Sequence, residues 1–277
     1  MNKKPIGVFD SGLGGLTAVK ELRRLLPGED IVYFGDTAHL PYGSRGRETI
    51  VAYTRQDIAF LLSQEVKVVV AACGTASSTF PPAESGALPV PYIDVLAPTA
   101  DAALAATRNG KIGIIGTEAT IASGSYRRML QSRSADVECF SQACPLFVPL
   151  VENGQFSLSD PLPLHAARLY LEPLKEAGID TLILGCTHYP LLAGVIAREM
   201  GEEVTLVDSG RETAHFVRSR LESTGFLNGR ENGGTAQYFV SADAARFEHY
   251  AELFLGEFAG GPVQQIDIDK YGLPKQG

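Results

Sequence analysis

The chain has 277 residues, of which 45% are hydrophobic and 20% are charged. This composition is typical of a folded globular protein and argues against disorder, and the length corresponds to about two domains at roughly 150 residues each. A formal net charge of −8 at pH 7 disfavours nucleic acid and anionic membranes as partners. No segment reaches the roughly 18 apolar residues of a membrane-spanning helix, and the first apolar run is too short for a signal peptide. We therefore expect a cytoplasmic protein.

Short apolar segments alternate with amphipathic ones in the N-terminal half, which is the pattern of an α/β fold. The predicted strands are Ile6–Phe9, Asp30–Gly35, Val66–Ala72 and Val90–Asp94. The helices predicted between and after them are Thr17–Leu26, Arg47–Ser63 and Thr99–Arg108.

A second series of strands and helices follows. Its predicted strands are Lys111–Gly116, Val137–Ser141, Thr181–Gly185 and Glu203–Val207. Its predicted helices are Ala119–Gln131, Pro163–Ala177, Leu191–Met200 and Arg211–Ser223. The C-terminal segment adds one predicted strand, Thr235–Val240, and one predicted helix, Ala242–Phe258. Several of the strands are apolar almost throughout, as expected for buried parallel strands.

Two stretches of the first series recur in the second. The segment IGVFDSG from Ile6 is echoed 106 residues later by IGIIGT from Ile112, and VVAACGT from Val69 is echoed 113 residues later by LILGCT from Leu182. The similar spacing of the two echoes predicts two related halves, although apolar strands followed by glycine are common in any α/β protein. Ligands of open α/β sheets bind at the carboxyl ends of the strands, so a cleft between the halves is the expected site.

Two of the four cysteines, Cys73 and Cys186, directly follow predicted buried strands. A position at a helix N-terminus lowers the pKa of a thiol, which favours reactive thiolates at both places. A single such cysteine is more often a small buried apolar residue, but a matched pair favours chemistry. Cys139 and Cys144 have no neighbouring acid or histidine cluster and are expected to pack in the core or a loop. The chain contains no CxxC pair that would indicate a zinc site.

Acid and base candidates lie at the same strand ends. Asp10 and Asp36 each end a predicted strand, where a carboxylate either orients a substrate amine or tunes a thiol, or caps a helix. His188 follows Cys186 by two residues and can hold or deliver a proton there, or serve as a structural group. The glycines after Asp10 form neither a dinucleotide-binding nor a Walker motif, and they suit a loop whose amides approach a small carboxylate.

Five motifs in order make the chain resemble the glutamate racemases of the cofactor-independent aspartate/glutamate racemase superfamily. They are DSGLGGL from Asp10, GDTAHLPYG from Gly35, VAACGTAS from Val70, PLVENG from Pro149 and LGCTHYPL from Leu184. The resemblance runs from residue 6 to about residue 210. It implies removal of the substrate α-proton from one face and delivery of a proton to the other, which requires two acid/base groups.

The resemblance also assigns roles to residues. Cys73 and Cys186 are the two implied bases, with Asp10 assisting Cys73, and with Glu152 and His188 assisting Cys186. The implied substrate contacts come from Asp10, Ser11, Pro41, Tyr42, Gly43, Gly74, Thr75, Thr117, Thr120, Thr187 and His188. Hydroxyls and backbone amides suit the two carboxylates of glutamate, and Asp10 suits its ammonium. No metal and no other cofactor is implied.

The implied fold has two pseudo-symmetric, doubly wound α/β domains with mainly parallel sheets and the active site in the cleft between them. Residues 1–97 and 208–277 are expected to form the first domain and residues 98–207 the second. The resemblance further implies a homodimer that acts on glutamate and supplies D-glutamate for peptidoglycan in the cell wall.

One residue departs from the pattern of the family. Gly74 stands where the family usually has asparagine after the first cysteine, so a side chain that contacts substrate is missing. An unpaired substrate group would weaken binding by roughly 1–3 kcal/mol. The sequence therefore leaves open a racemase for another acidic amino acid, a decarboxylase of the arylmalonate type, and a binding protein without turnover.

Overall fold

The computed structural model describes residues 1–256 and 260–272, which form two parallel sheets. The six-stranded sheet has the order β10-β9-β2-β1-β3-β4 and the four-stranded sheet has the order β6-β5-β7-β8. The first sheet contains β1 (Ile6–Asp10), β2 (Ile31–Gly35), β3 (Val68–Ala71), β4 (Tyr92–Asp94), β9 (Ala236–Val240) and β10 (Val263–Gln265). The second contains β5 (Lys111–Gly116), β6 (Glu138–Ala143), β7 (Thr181–Leu184) and β8 (Thr205–Asp208).

Helices connect these strands. In the N-terminal half they are α1 (Leu16–Leu25), α2 (Arg47–Ser63), α3 (Gly74–Thr79), α4 (Pro82–Gly86) and α5 (Leu96–Ala106). The remaining helices are α6 (Glu118–Ser123), α7 (Ser125–Arg133), α8 (Phe147–Glu152), α9 (Pro161–Glu176), α10 (Ala193–Met200), α11 (Ser209–Ser223) and α12 (Ala244–Leu255). Short 3-10 turns form at Tyr42–Ser44, Tyr189–Leu192 and Ile268–Lys270. Each of the described helices is too short or too polar to cross a bilayer.

The internal repeat seen in the sequence is a repeat of sheet topology. The strand order β2-β1-β3-β4 in the first sheet matches β6-β5-β7-β8 in the second. The registers also match, because Gly7 pairs with Val69 in the first sheet and Gly113 pairs with Leu182 in the second. These four residues carry the same 106- and 113-residue offsets as the sequence echoes. The two related halves that the sequence predicted are therefore confirmed, strand for strand.

Helices cover both faces of each sheet. In β1, Ile6 and Val8 face a core shared with α1 and α11, whereas Phe9 faces a second core shared with α2 and α3. In the smaller sheet, Leu182 and Leu184 of β7 join the first of these cores, and Ile183 joins a third core with α5 and α7. Alternate residues of one strand thus bury opposite faces, as the period of two requires. The predicted doubly wound α/β architecture is confirmed.

Several elements differ from the sequence predictions. The single helix predicted over Ala119–Gln131 is wrong, since α6 and α7 are separate helices that meet at Gly124. The short helices α3, α4 and α8 and the strand β10 were not predicted, because segments of three to six residues carry too little periodicity. Residues 257 and 258 of the predicted last helix lie outside the described residues.

Gly124 explains the break between α6 and α7. Its φ of +63° lies in the left-handed region, where an L side chain costs about 1–2 kcal/mol. We predict that Gly124→Ala lowers the free energy of unfolding by about that amount, as measured by urea denaturation. Gly86→Ala is the matched control, because Gly86 ends a helix with nothing near its added Cβ. Equal stability of the two variants would contradict this account of the break.

Candidate active site

A cavity of about 390 Å³ lies between the two sheets at the carboxyl ends of their strands. This volume is within the usual range of small-molecule sites, roughly 300–1,000 Å³. The segments that follow β1, β3, β5 and β7 all reach it. Of the residues that sequence reasoning singled out, its walls include Asp10, Ser11, Pro41, Tyr42, Gly43, Cys73, Gly74, Thr75, Thr117, Glu152, Cys186, Thr187 and His188.

Cys73 enters the cavity from the first sheet. It caps the N-terminus of α3, where its sulfur accepts a hydrogen bond from the Ala76 amide at 3.5 Å and donates to the Ser11 hydroxyl at 3.4 Å. Burial, followed by the nearby charge of Asp10, nevertheless raises the pKa of the Cys73 thiol to about 12. The expectation of a lowered pKa is therefore wrong for this cysteine, because desolvation and a like charge outweigh the helix terminus.

Cys186 enters from the second sheet and has a different environment. Its sulfur lies 3.9 Å from Nδ1 of His188, and Nε2 of the same ring lies 3.2 Å from Oε1 of Glu152. Burial alone lowers the pKa of His188, but its contacts with Cys186 and Glu152 outweigh burial and raise the pKa to about 10. His188 is thus an imidazolium at neutral pH, placed beside a thiol whose anion it stabilises.

Glu152 and Phe254 hold His188 on its other sides. Burial disfavours ionisation of Glu152, but the hydrogen bond from His188 and the charges of His188 and Arg246 lower its pKa. Arg246, at the start of α12, lies 3.9 Å from Oε2 of Glu152. The ring of Phe254, also on α12, packs edge-on against the imidazole. The C-terminal segment therefore helps to position the His188 imidazole.

Polar contacts join the two sides of the cavity. The hydroxyls of Thr75 and Thr117 lie 3.0 Å apart, and the Thr187 hydroxyl donates to Oδ1 of Asp10 at 3.5 Å. Asp10 is 1% exposed, and burial raises the pKa of its carboxyl despite the opposing charge of His188. Its Oδ2 accepts from the Gly12 amide at 2.9 Å, and Asp10 lines the cavity, where its carboxyl is placed to meet a cationic ligand.

A backbone contact beside both cysteines joins the two halves. A Cβ added to Gly74 would lie 2.2 Å from the carbonyl oxygen of Gly185, which is far inside van der Waals contact. An asparagine side chain therefore does not fit at residue 74 unless the two turns move apart. Glycine at this position removes a side chain from the cavity and also lets the two cysteine-bearing turns approach each other.

Not every polar group that the sequence singled out faces the cavity. Thr120 lies outside the cavity wall, and its amide and hydroxyl contact the Thr117 hydroxyl at 3.2 and 3.0 Å. Tyr42 lines the cavity, but its hydroxyl donates to Asp36 behind the wall. Asp36 itself caps no helix and lies outside the cavity wall.

Sequence reasoning missed several other residues of the cavity wall. Cys144 is fully buried and contributes a third thiol, whereas Cys139 lies half-buried on β6. Further wall residues are Leu40, Ser44, Glu118, Pro145, Val148, Pro149, Gly185 and Arg246. The predicted return of the C-terminal segment was the only signal for Arg246. Within residues 1–256 and 260–272, no group of three or more His, Cys, Asp or Glu side chains could hold a metal ion.

The fold and the cavity define a two-lobed α/β protein whose cleft holds three thiols, buried carboxylates and an imidazolium. Residues 7–217 match the family model of Asp/Glu/Hydantoin racemases. The glutamate racemase of Geobacter metallireducens is 45% identical over 267 residues, covering 96% of this chain and 97% of the relative.

Solved structures give the same result. Glutamate racemase isoform RacE1 from Bacillus anthracis superposes with a TM-score of 0.90 at 39% identity, covering 96% of this chain and 98% of that one. The glutamate racemase of Francisella tularensis, solved in complex with D-glutamate, superposes with a TM-score of 0.89 at 34% identity, covering 98% and 100%. The chain belongs to the Asp/Glu/Hydantoin racemase family.

The contact between Gly74 and Gly185 predicts how the thiols respond to substitution. Gly74→Ala and Gly74→Asn should separate the two turns and expose Cys73 and Cys186, since a backbone oxygen cannot move aside as a side chain can. We expect both thiols to react about tenfold faster with iodoacetamide, as for a shift of about 1.4 kcal/mol in an opening equilibrium, measured by peptide mass spectrometry. Cys139 is the internal reference and Gly86→Ala the control. Unchanged protection of both thiols would contradict the contact.

Proposed function

We propose that this protein is an isomerase that interconverts L-glutamate and D-glutamate by proton transfer between two cysteines. The observation that carries the proposal is the arrival of Cys73 and Cys186 in one cavity from equivalent strand ends of two related halves. Inversion at Cα requires a base on one side of the carbon and an acid on the other. Two thiols from opposing sheets supply that arrangement.

In the proposed reaction, one thiolate removes the α-proton. The Cα–H bond breaks, an S–H bond forms, and the electron pair is delocalised into the α-carboxylate. The opposite thiol then gives its proton to the other face of Cα and becomes the thiolate. Hydroxyls and backbone amides of Ser11, Thr75 and Thr187 are placed to stabilise the charge that develops on the carboxylate.

The two thiols have differently charged neighbours before substrate binds. A pKa of about 12 keeps Cys73 as a thiol, whereas the Cys186 sulfur lies 3.9 Å from Nδ1 of the His188 imidazolium. In the proposed reaction Cys73 is therefore the acid of the free protein, and Cys186 takes the role of the base. Binding of a substrate ammonium at Asp10 would offset the carboxylate charge that raises the pKa of Cys73, which makes the reverse assignment accessible.

Glutamate is the substrate supported by the relatives. The proteins from Geobacter and Bacillus are named glutamate racemases, and the Francisella protein was solved with D-glutamate. The cavity of this chain offers a buried carboxylate for the ammonium and several hydroxyls for two carboxylates. Its Gly74 removes a potential side-chain contact, and a side chain at this position would meet the carbonyl oxygen of Gly185.

We also propose the finer features that the family resemblance implies. Sheet membership supports a first domain of residues 1–97 and 208–277 and a second of residues 98–207, except that Asp208 itself ends β8 of the second sheet. The family resemblance is the ground for proposing a homodimer. The protein would work in the cytoplasm and supply D-glutamate for peptidoglycan, and thereby support cell-wall synthesis and cell shape.

Circular dichroism of separate L- and D-glutamate solutions tests the proposed activity. Both solutions should lose their optical signal on addition of the purified protein. Loss of signal with aspartate alone would instead identify a racemase for another acidic amino acid. Carbon dioxide released from an arylmalonate would identify a decarboxylase, and binding of glutamate without turnover a binding protein.

Replacement of either base tests the two-thiol scheme. Cys73→Ala and Cys186→Ala should each abolish racemisation, because the remaining thiol serves only one face of Cα. Cys139→Ala is the matched control, since Cys139 lies on β6 outside the cavity wall, and it should retain full activity. Normal turnover in either of the first two variants refutes the scheme.

The His188–Glu152 pair predicts a dependence on pH. His188 is protonated below its pKa of about 10, so its support of the Cys186 thiolate is lost as the pH rises through that value. Glu152→Gln removes a carboxylate that raises this pKa, and we expect the alkaline limb of kcat/KM to move down by about one to two pH units. Glu118→Gln removes another cavity carboxylate and should leave the limb in place. An unmoved limb in Glu152→Gln would contradict the pairing.

A further inference from the structure

A buried acidic cluster lies behind the cavity wall at Pro41–Ser44, which we call the rim. Asp36 and Asp57 are both 0% exposed, and Tyr42 of the rim is 1% exposed. The Tyr42 hydroxyl lies 2.6 Å from Oδ2 of Asp36 and 3.0 Å from Oδ2 of Asp57. Two carboxyl groups on different elements thus share one phenol oxygen.

Counting protons shows that one of these carboxyl groups must be neutral. The phenol has a single proton and can donate it to only one carboxylate. A second ionised carboxylate at 3.0 Å would face the phenol oxygen without a hydrogen between them, in a site from which water is excluded. Such an arrangement of buried charge is strongly unfavourable.

The partners of each group decide which one carries the proton. Asp36 accepts from the Tyr42 and Ser241 hydroxyls, the latter at 2.7 Å, and lies 2.8 Å from Nδ1 of His39. Three partners of this kind satisfy an ionised carboxylate. Oδ1 of Asp57, by contrast, has no hydrogen-bonding partner among the described residues. Burial, followed by the charge of Asp36, also raises the pKa of Asp57 well above its ordinary value.

We propose that Asp57 is a neutral carboxylic acid that donates a hydrogen bond to Tyr42 and thereby positions the rim against the substrate. Asp57 lies on α2 outside the cavity wall and acts through Tyr42, so it is a positioning residue. Asp57 donates a hydrogen bond to the Tyr42 hydroxyl, and the Tyr42 hydroxyl donates one to Asp36. This role deepens the proposed racemase site and rests on it.

The rim connects both halves of the cavity. A Cβ added to Gly43 would lie 2.9 Å from Cβ of Thr117, so the rim packs directly onto the second half. Asp36 also accepts a hydrogen bond from Ser241, which follows β9. The next helix, α12, carries Arg246, which lines the cavity. A shift of Tyr42 would therefore disturb the substrate contacts of Pro41 and Gly43 without moving β3 or β7, which precede the two cysteines.

Three variants separate this role from general destabilisation. Asp57→Asn keeps a neutral donor of the same shape, and its KM and kcat for glutamate should stay within about twofold of wild type, as for a retained hydrogen bond. Asp57→Ala and Tyr42→Phe each remove one link, and KM should rise about tenfold with a smaller change in kcat. A rise in Asp57→Asn as large as that in Asp57→Ala would overturn the proposal.

Infrared spectroscopy reads the proton directly and needs no activity. With ¹³C-labelled aspartate at neutral pH, the wild type should show a carbonyl band of a protonated carboxylic acid that Asp57→Asn lacks and Tyr42→Phe shifts. Identical spectra of wild type and Asp57→Asn in this region would overturn the proposal. If wild type does not racemise glutamate, the proposed function fails, while the infrared band still decides the protonation of Asp57.

Discussion

The backbone of Gly74 lies against the carbonyl oxygen of Gly185, and the candidate site depends on that contact between the two halves of the chain. Each glycine neighbours one of the two cysteines, so the contact fixes how the thiol-bearing turns meet. The contact is possible because β3 and β7 occupy equivalent places in two sheets of the same strand order. Sheet topology brings the turns to one cleft, and the absence of a side chain at residue 74 lets the cleft close around them.

Burial then gives the two thiols different chemistry. Both cysteines lie in low-dielectric surroundings, where an uncompensated thiolate is costly. Cys73 has a carboxylate nearby and remains a thiol, whereas Cys186 has an imidazolium that is itself stabilised by Glu152. In the proposed reaction, this difference supplies one base and one acid before substrate arrives.

Burial and neighbouring charges also determine the protonation of the polar groups behind the cavity wall. Asp36 and Asp57 are buried near one another, and only one of them has enough donors to remain ionised. A proton on Asp57 turns a repulsive pair into a chain of hydrogen bonds through Tyr42. In the proposed site, the rim is thus held from behind by groups that lie outside the cavity wall.

The sequence predicted the long-range architecture better than the local details. The paired echoes at Ile6 and Ile112 indicated two related halves, because parallel strands leave a dense apolar signature. The motifs placed both cysteines, Asp10 and His188, and all four line the cavity. The short helix α3 and the break at Gly124 carried too few residues for a periodic signal.

Several energetic and packing consequences of contacts distant in sequence were beyond prediction. The raised pKa of Cys73 depends on burial and on a carboxylate 63 residues away, and neither is visible in the local motif. The fit of Gly74 against Gly185 and the reach of Arg246 to Glu152 likewise depend on the folded packing of distant segments.

The central claim is that two different groups handle the proton on the two faces of Cα. The most direct test follows the first turnovers of L-glutamate in deuterated water by proton NMR. The account predicts that newly formed D-glutamate carries deuterium at Cα while unreacted L-glutamate keeps its proton, since the acid draws its hydrogen from solvent. D-glutamate that retains the substrate's proton, or early deuteration of unreacted L-glutamate, would contradict it and indicate a single base.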